Sequence, residues 1–167
     1  MAIIIKPYKG IVDNGKKINF DMTQKEVEKA LGYKAAKIEI DNIMEETREI
    51  RYACIYRYIN KKLVDIQFNL NNNLMIKEIE LFNEKDETVN KEEIIKKLKE
   101  IDTSSEESKD GYINFYKLGI NLGGFGKKKI PEKMLVIAFS KERINFYKRF
   151  LKAWILKNKI GVRAHFA

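Results

Sequence analysis

The chain is poor in the residues that most often carry chemistry. Among 167 residues it has one cysteine, Cys54, and one histidine, His165. A lone cysteine excludes a disulfide framework within the chain, and one Cys with one His cannot build a tetrahedral zinc site. His165 is the third residue from the end, where the chain is hard to fix, so histidine general-base chemistry is not expected. Proline is scarce at 2 residues, and glycine numbers 9. With 44% apolar and 34% charged residues, that composition excludes disordered and fibrous chains and suits one folded domain over residues 1–167. No run approaches the roughly 18 apolar residues of a membrane span. Met1-Ala-Ile-Ile-Ile-Lys-Pro7 has no basic segment ahead of a long apolar one, so with an unpaired cysteine we expect a cytoplasmic protein.

What the chain has in excess is positive charge, and that charge is local. The formal net charge is +9. From Ser140 to Ala167, Lys141, Arg143, Lys148, Arg149, Lys152, Lys157, Lys159 and Arg163 face only Glu142, which places +7 there and leaves +2 on the rest. A basic segment carrying Phe146, Tyr147, Phe150 and Trp154 has the makings of a nucleic-acid surface. The aromatics coincide, however, with the apolar stripe of a helix expected from Ser140 to about Asn158, which assigns them to packing and the lysines to the outer side.

Periodicity predicts the elements. Thr23 and Glu26 have the capping-box spacing, Val27 and Leu31 share a face, and Gly32 follows as a C-cap, so a helix runs from Thr23 to Leu31. Asn90 caps a second helix over Lys91–Ile101, with Ile94 and Leu98 inward. Period-two runs predict strands at Ala2–Tyr8, Ile38–Ile40, Ile50–Tyr58, Leu63–Leu70, Leu74–Phe82, Tyr112–Leu122 and Lys133–Phe139. Asn69–Asn73 reads as the turn of a hairpin joining the Leu63 and Leu74 runs. The fold expected is α+β: a single twisted, mostly antiparallel sheet with two short helices and a long C-terminal helix packed on one face. The two short helices align residue by residue, each ahead of antiparallel strands, which suggests a weak internal repeat over residues 17–82 and 88–139.

No catalytic constellation, metal site or cofactor emerges. The pairs Glu45-Glu46, Glu92-Glu93 and Glu106-Glu107 point to different sides of their elements. Asp65, mid-strand, is expected to face water. Ser104, Ser105 and Ser108 lack a nearby base. Gly119-Ile-Asn-Leu-Gly123-Gly124-Phe125-Gly126-Lys127-Lys128-Lys129 superficially resembles a phosphate cradle, but a strand and Pro131 follow where such a loop opens a helix, so it reads as a hairpin loop. Tyr52, Tyr56 and Tyr58, joined by Tyr112 or Tyr116, form a tyrosine-rich partner surface if they share an open face. Ordinary cross-strand packing is the alternative.

Met22-Thr23-Gln-Lys-Glu26-Val27-Glu-Lys-Ala-Leu31-Gly32, the Asn69–Asn73 turn and Ile79-Glu80-Leu81 together resemble small bacterial immunity proteins of contact-dependent growth inhibition and related polymorphic toxin systems. The resemblance implies a non-enzymatic protein that binds and neutralises one cognate toxin domain, commonly a nuclease, in the bacterial cytoplasm. Nuclease inhibitors of this kind are often acidic, so as to mimic phosphate, and this chain is basic. Edge-strand or hairpin pairing needs no acidic surface and is the mode expected, with the tyrosine-bearing strands and the tip Gly123, Gly124, Phe125, Lys127 and Lys128 in contact. The alternative is a nucleic-acid-binding protein acting through the basic C-terminal segment.

Overall fold

The capping signals place the two helices correctly. In the computed structural model, which describes residues 2–69, 72–83, 90–108, 111–125 and 134–149, α1 spans Gln24–Leu31 and α2 spans Lys91–Ile101. At α1 the Glu26 amide donates to Thr23 Oγ1 and the Thr23 amide donates to Glu26 Oε2 at 2.7 Å, closing the capping box. Gly32 ends the helix at φ 82°, a left-handed conformation that glycine adopts without strain. Asn90 caps α2 through Oδ1, which accepts from the Glu93 amide at 3.1 Å. Val27 and Leu31, and Ile94 and Leu98, are the buried residues of the two helices.

The strands form two sheets, not one. The first, in the order β3-β2-β1-β8-β9, comprises β1 (Ile3–Lys6), β2 (Gly10–Asp13), β3 (Lys16–Asn19), β8 (Leu74–Ile76) and β9 (Ile79–Phe82). The second, in the order β10-β11-β12-β13-β7-β6-β5-β4, comprises β4 (Lys37–Asp41), β5 (Glu46–Arg51), β6 (Cys54–Ile59), β7 (Lys62–Phe68), β10 (Glu106–Glu107), β11 (Ile113–Phe115), β12 (Ile120–Gly123) and β13 (Leu135–Phe139). Each helix is thus followed by a four-stranded meander, β4–β7 after α1 and β10–β13 after α2. The two meanders join where β7 pairs antiparallel with β13.

Several expected elements are corrected. Leu63–Leu70 and Leu74–Phe82 do not form a hairpin: β7 stays in the larger sheet, while β8 crosses over to pair parallel with β1, Ile3 opposite Leu74. The Leu74–Phe82 run is itself folded in two at Lys77 and Glu78, both at positive φ (44° and 67°). Neither residue is a usual signal for such a turn. Ile50–Tyr58 likewise breaks at Tyr52, φ 50°, into β5 and β6, and Tyr112–Leu122 breaks into β11 and β12 around Gly119. The expected long C-terminal helix is also corrected. Lys141–Arg143 form a 3₁₀ turn and residues 144–149 are helical; the stretch to Asn158 lies outside the described residues.

One core joins both sheets and both helices. Ile3, Ile5, Ile11, Ile18, Leu74 and Ile76 of the smaller sheet meet Cys54, Tyr56, Tyr58, Leu63, Ile66, Phe68, Ile120, Leu122 and Val136 of the larger. Inside it lies a polar cluster. Arg51 donates to Glu49 Oε2 through Nε (3.0 Å) and Nη2 (2.9 Å) and to the Tyr33 carbonyl at 2.7 Å. Tyr58 and Gln24 also donate to Glu49, each at 2.9 Å. The charges are therefore hydrogen-bonded as well as paired, as burial requires. Among the described residues, no helix is long and apolar enough to cross a membrane.

Two outcomes are expected. Thr23→Ala removes the α1 cap and lowers unfolding free energy by about 1 kcal/mol in a denaturant titration. Burial, followed by the nearby Asp13, pushes the Cys54 thiol from 9.0 up to about 12, and burial also raises the Tyr56 and Tyr58 hydroxyls far above their usual 10.0. Raised acid groups bind protons more tightly when folded, so stability is intact below pH ~9 and falls as pH climbs towards 12. Unfolding followed at pH 8 and pH 11 checks this, and Cys54 should resist thiol reagents at pH 8 until the chain unfolds.

Candidate functional site

Strand alternation sorts the larger sheet into an apolar inner face and a polar outer one. On β6, Cys54, Tyr56 and Tyr58 are buried, whereas Ile55, Arg57 and Ile59 are half-buried on the other side. Pairing carries the outer row across the sheet: Arg48 lies opposite Arg57, Arg57 opposite Asp65, Gln67 opposite Ile137, Ile137 opposite Asn121 and Asn121 opposite Asn114. The segment after β13 folds back over this row.

Asp65 organises the covered part. It is 0% exposed, the reverse of the solvent-facing position expected. Its Oδ1 accepts from Arg57 Nη1 at 2.8 Å, and its Oδ2 accepts from Arg143 Nε at 3.1 Å and Tyr147 Oη at 3.3 Å. Burial opposes the Arg57 charge, but the Asp65 carboxylate outweighs it and holds the guanidinium above its ordinary range. Burial and then the Asp65 charge hold the Tyr147 hydroxyl well above 10.0. Tyr147 stacks on Phe139 with ring centroids 4.4 Å apart, and the Arg143 guanidinium carbon sits 3.8 Å from the Phe146 ring centre. These aromatics are packing, as the helical stripe implied.

Beside this cluster the outer face holds a cavity of about 340 Å³. Its walls include Glu46, Arg48, Arg57 and Arg143, the amides of Gln67, Asn114 and Asn121, and the rings of Tyr112, Phe146 and Tyr147. Asn121 donates to Asn114 Oδ1 at 2.6 Å, and Arg57 Nη2 donates to Gln67 Oε1 at 2.6 Å. Among the described residues no group of three His, Cys, Asp or Glu side chains is placed to hold a metal ion.

A second feature is the β4 edge. It ends the larger sheet, with β5 on one side and no strand on the other among the described residues. Ile38 and Ile40 project from it at 57% and 72% exposure, and Ile43 and Met44 in the following turn are 93% and 43% exposed. The opposite edge of the same sheet, β10, is two glutamates long, and β3 at one edge of the smaller sheet begins with Lys16-Lys17. Neither of those edges exposes a large apolar side chain; β4, which alternates Lys37, Glu39 and Asp41 with Ile38 and Ile40, does. Over the β4–β5 hairpin, Lys37 to Arg51, the acidic Glu39, Asp41, Glu45, Glu46 and Glu49 face Lys37, Arg48 and Arg51, a formal charge of −2 on a positive chain, with Glu49 buried against Arg51.

The tyrosines do not gather on one open face. Tyr56 and Tyr58, each 1% exposed, belong to the core. Tyr52 is exposed in the β5–β6 turn, edge-on to Tyr33 with centroids 5.2 Å apart. Tyr112 and Tyr116 are half-buried on the opposite, outer face, where Tyr116 Oη donates to Glu106 at 2.8 Å and Lys148 Nζ lies 4.9 Å from its ring centre. Gly123 ends β12 where a Cβ would come within 2.9 Å of Leu135 and 3.0 Å of Tyr112, so a side chain there would collide with the cavity wall. Gly124 turns away at φ 74°, its carbonyl accepting from Lys91 Nζ at 2.9 Å, and Phe125 is buried against Phe82. Lys127 and Lys128 lie outside the described residues. Arg48 and Arg57 were missed, and Glu46 and Asp65 were read as solvent-facing; the signal available was charges at the polar positions of β5, β6 and β7.

The chain matches no family model, no curated protein and no solved structure.

Replacing Asp65 with alanine leaves Arg57 and Arg143 buried without their shared counter-ion and is expected to cost about 3–5 kcal/mol of stability, read from chemical unfolding. An Arg143→Leu exchange, which leaves Asp65 paired with Arg57, should cost less.

Proposed function

We propose that the chain is an immunity protein that binds a cognate toxin domain by pairing a strand of that partner with β4. One observation carries this reading: of the sheet edges, the β4 edge alone among those described presents a row of large apolar side chains, Ile38 and Ile40 with Ile43 beyond them. An edge strand with exposed apolar side chains is a hazard for a free protein, because its unpaired amides and carbonyls template another strand. It is an asset for one whose task is to take up a partner strand. The negative charge of the β4–β5 hairpin adds a second element, since a nuclease domain carries a basic surface to meet its substrate, and opposite charge speeds encounter.

The test is co-purification with the protein encoded beside this chain's gene. The expected result is a complex that survives size exclusion and is weakened about 100-fold by the double exchange Ile38→Lys and Ile40→Lys, with the thermal midpoint of the free protein unchanged. A neighbour that is not toxic, or an affinity indifferent to both lysines, overturns the reading. So does a salt-sensitive gel shift with DNA or RNA that is lost on Lys148→Ala and Arg149→Ala, which marks the protein as a nucleic-acid binder instead.

A further inference from the structure

We infer that, in the absence of another partner, the chain forms a weak two-fold dimer in which β4 pairs antiparallel with β4 of a second copy. The strand reads Lys37-Ile38-Glu39-Ile40-Asp41, and set against itself in the reverse direction it is complementary. A two-fold axis through Glu39 pairs all five residues: Lys37 meets Asp41 of the second copy at each end, and Ile38 meets Ile40 twice. Other placements fit less well. An axis through Ile40 sets Glu39 against Asp41, and one through Ile38 pairs only Lys37 to Glu39 within the strand. The axis runs normal to the sheet, so each face of one copy continues into the same face of the other.

The two faces match separately. Ile38 and Ile40 lie opposite Glu49 and Thr47 of β5, on the side of the core, at 57% and 72% exposure. Of the six exposed large apolar residues described, four are Ile38, Ile40, Ile43 and Met44, so the dimer closes the centre of the largest such group with four isoleucines. Lys37, Glu39 and Asp41 lie on the other side, opposite Ile50, Arg48 and Glu46. There the one unfavourable contact is Glu39 against its own copy. Lys37 Nζ, 2.6 Å from Glu39 Oε1, and Arg48 across β5 offset the two anions. Five paired residues a side fall well short of the roughly 20–30 of a standard interface, so the dimer is weak and gives way to a tighter partner. It also stops at two, because it consumes the edge it uses and the β10 and β3 edges expose no large apolar side chain. Where β4 is also the toxin-binding edge, a consequence that rests on the reading above, each copy shields the other from unspecific strand pairing until the toxin displaces it.

The experiment is sedimentation velocity of the full chain, free of any partner, from about 10 μM to about 1 mM. The expected result is a mass that climbs from monomer towards dimer and no further. Lys37→Glu should weaken association about tenfold, since it sets two acids against each other at both ends of the paired strands. Glu39→Cys reads the register. Its two copies face each other across the axis with Cα atoms about 5 Å apart, so oxidation should link them, while Cys54 is buried and takes no part. Ile43→Cys, at 93% exposure but four positions from the axis, should not cross-link, because its copies lie beyond the roughly 7 Å that a disulfide tolerates. A mass that stays monomeric throughout, an association indifferent to Lys37→Glu, or cross-linking as ready from position 43 as from position 39 overturns the inference. The two readings of this edge fail separately: a chain that stays monomeric yet captures the toxin overturns this one, and a dimer that captures no toxin overturns the other.

Discussion

The carboxylate of Asp65 is the constraint on which the outer half of the molecule depends. It sits at 0% exposure in the middle of β7, where an uncompensated charge would be prohibitive. Arg57 answers it from β6 and Arg143 from the segment after β13. The pair on β6 and β7 belongs to one meander, while Arg143 follows the other. A single anion therefore ties the two meanders together on the face away from the core, close to where β7 and β13 exchange backbone hydrogen bonds.

That attachment also shapes what the outer face offers. With Arg143 and Tyr147 held down on Asp65, the rings of Phe146 and Tyr147 roof one side of the sheet and leave a cavity beside it rather than a flat polar surface. The inner face has its own buried anion, Glu49, which takes donors from Arg51, Tyr58 and Gln24 and so pins α1 to the sheet. Beyond that point the core layer stops. β4 continues the sheet past it, so Ile38 and Ile40 remain uncovered. The edge is left bare because a sheet of eight strands is wider than the core layer that covers its inner face.

Much of the local structure was legible in the sequence. The capping box at Thr23 and Glu26, the Asn90 cap, and the apolar alternation of β6, β7 and β13 depend on neighbours a few residues away, and those neighbours are on the page of the sequence itself. The turn at Lys77 and Glu78 was not legible, because two long charged residues at positive φ are held there by the strands they connect and not by their own preference. The tyrosines misled for another reason. Tyr52, Tyr56 and Tyr58 do alternate along the chain, yet alternation says only that a face can be shared, not whether the face is covered.

The sequence by itself determined the two capped helices, the richness in strands and the confinement of positive charge to the last segment, because each rests on local periodicity or on composition. Only the tertiary structure decided that the strands divide into two sheets, that β8 joins β1 rather than β7, that Asp65 and Glu46 are buried, and that β4 is left as an open edge. Those outcomes depend on pairing between strands distant in sequence, and burial is a property of what lies across from a side chain, which no neighbour along the chain can specify.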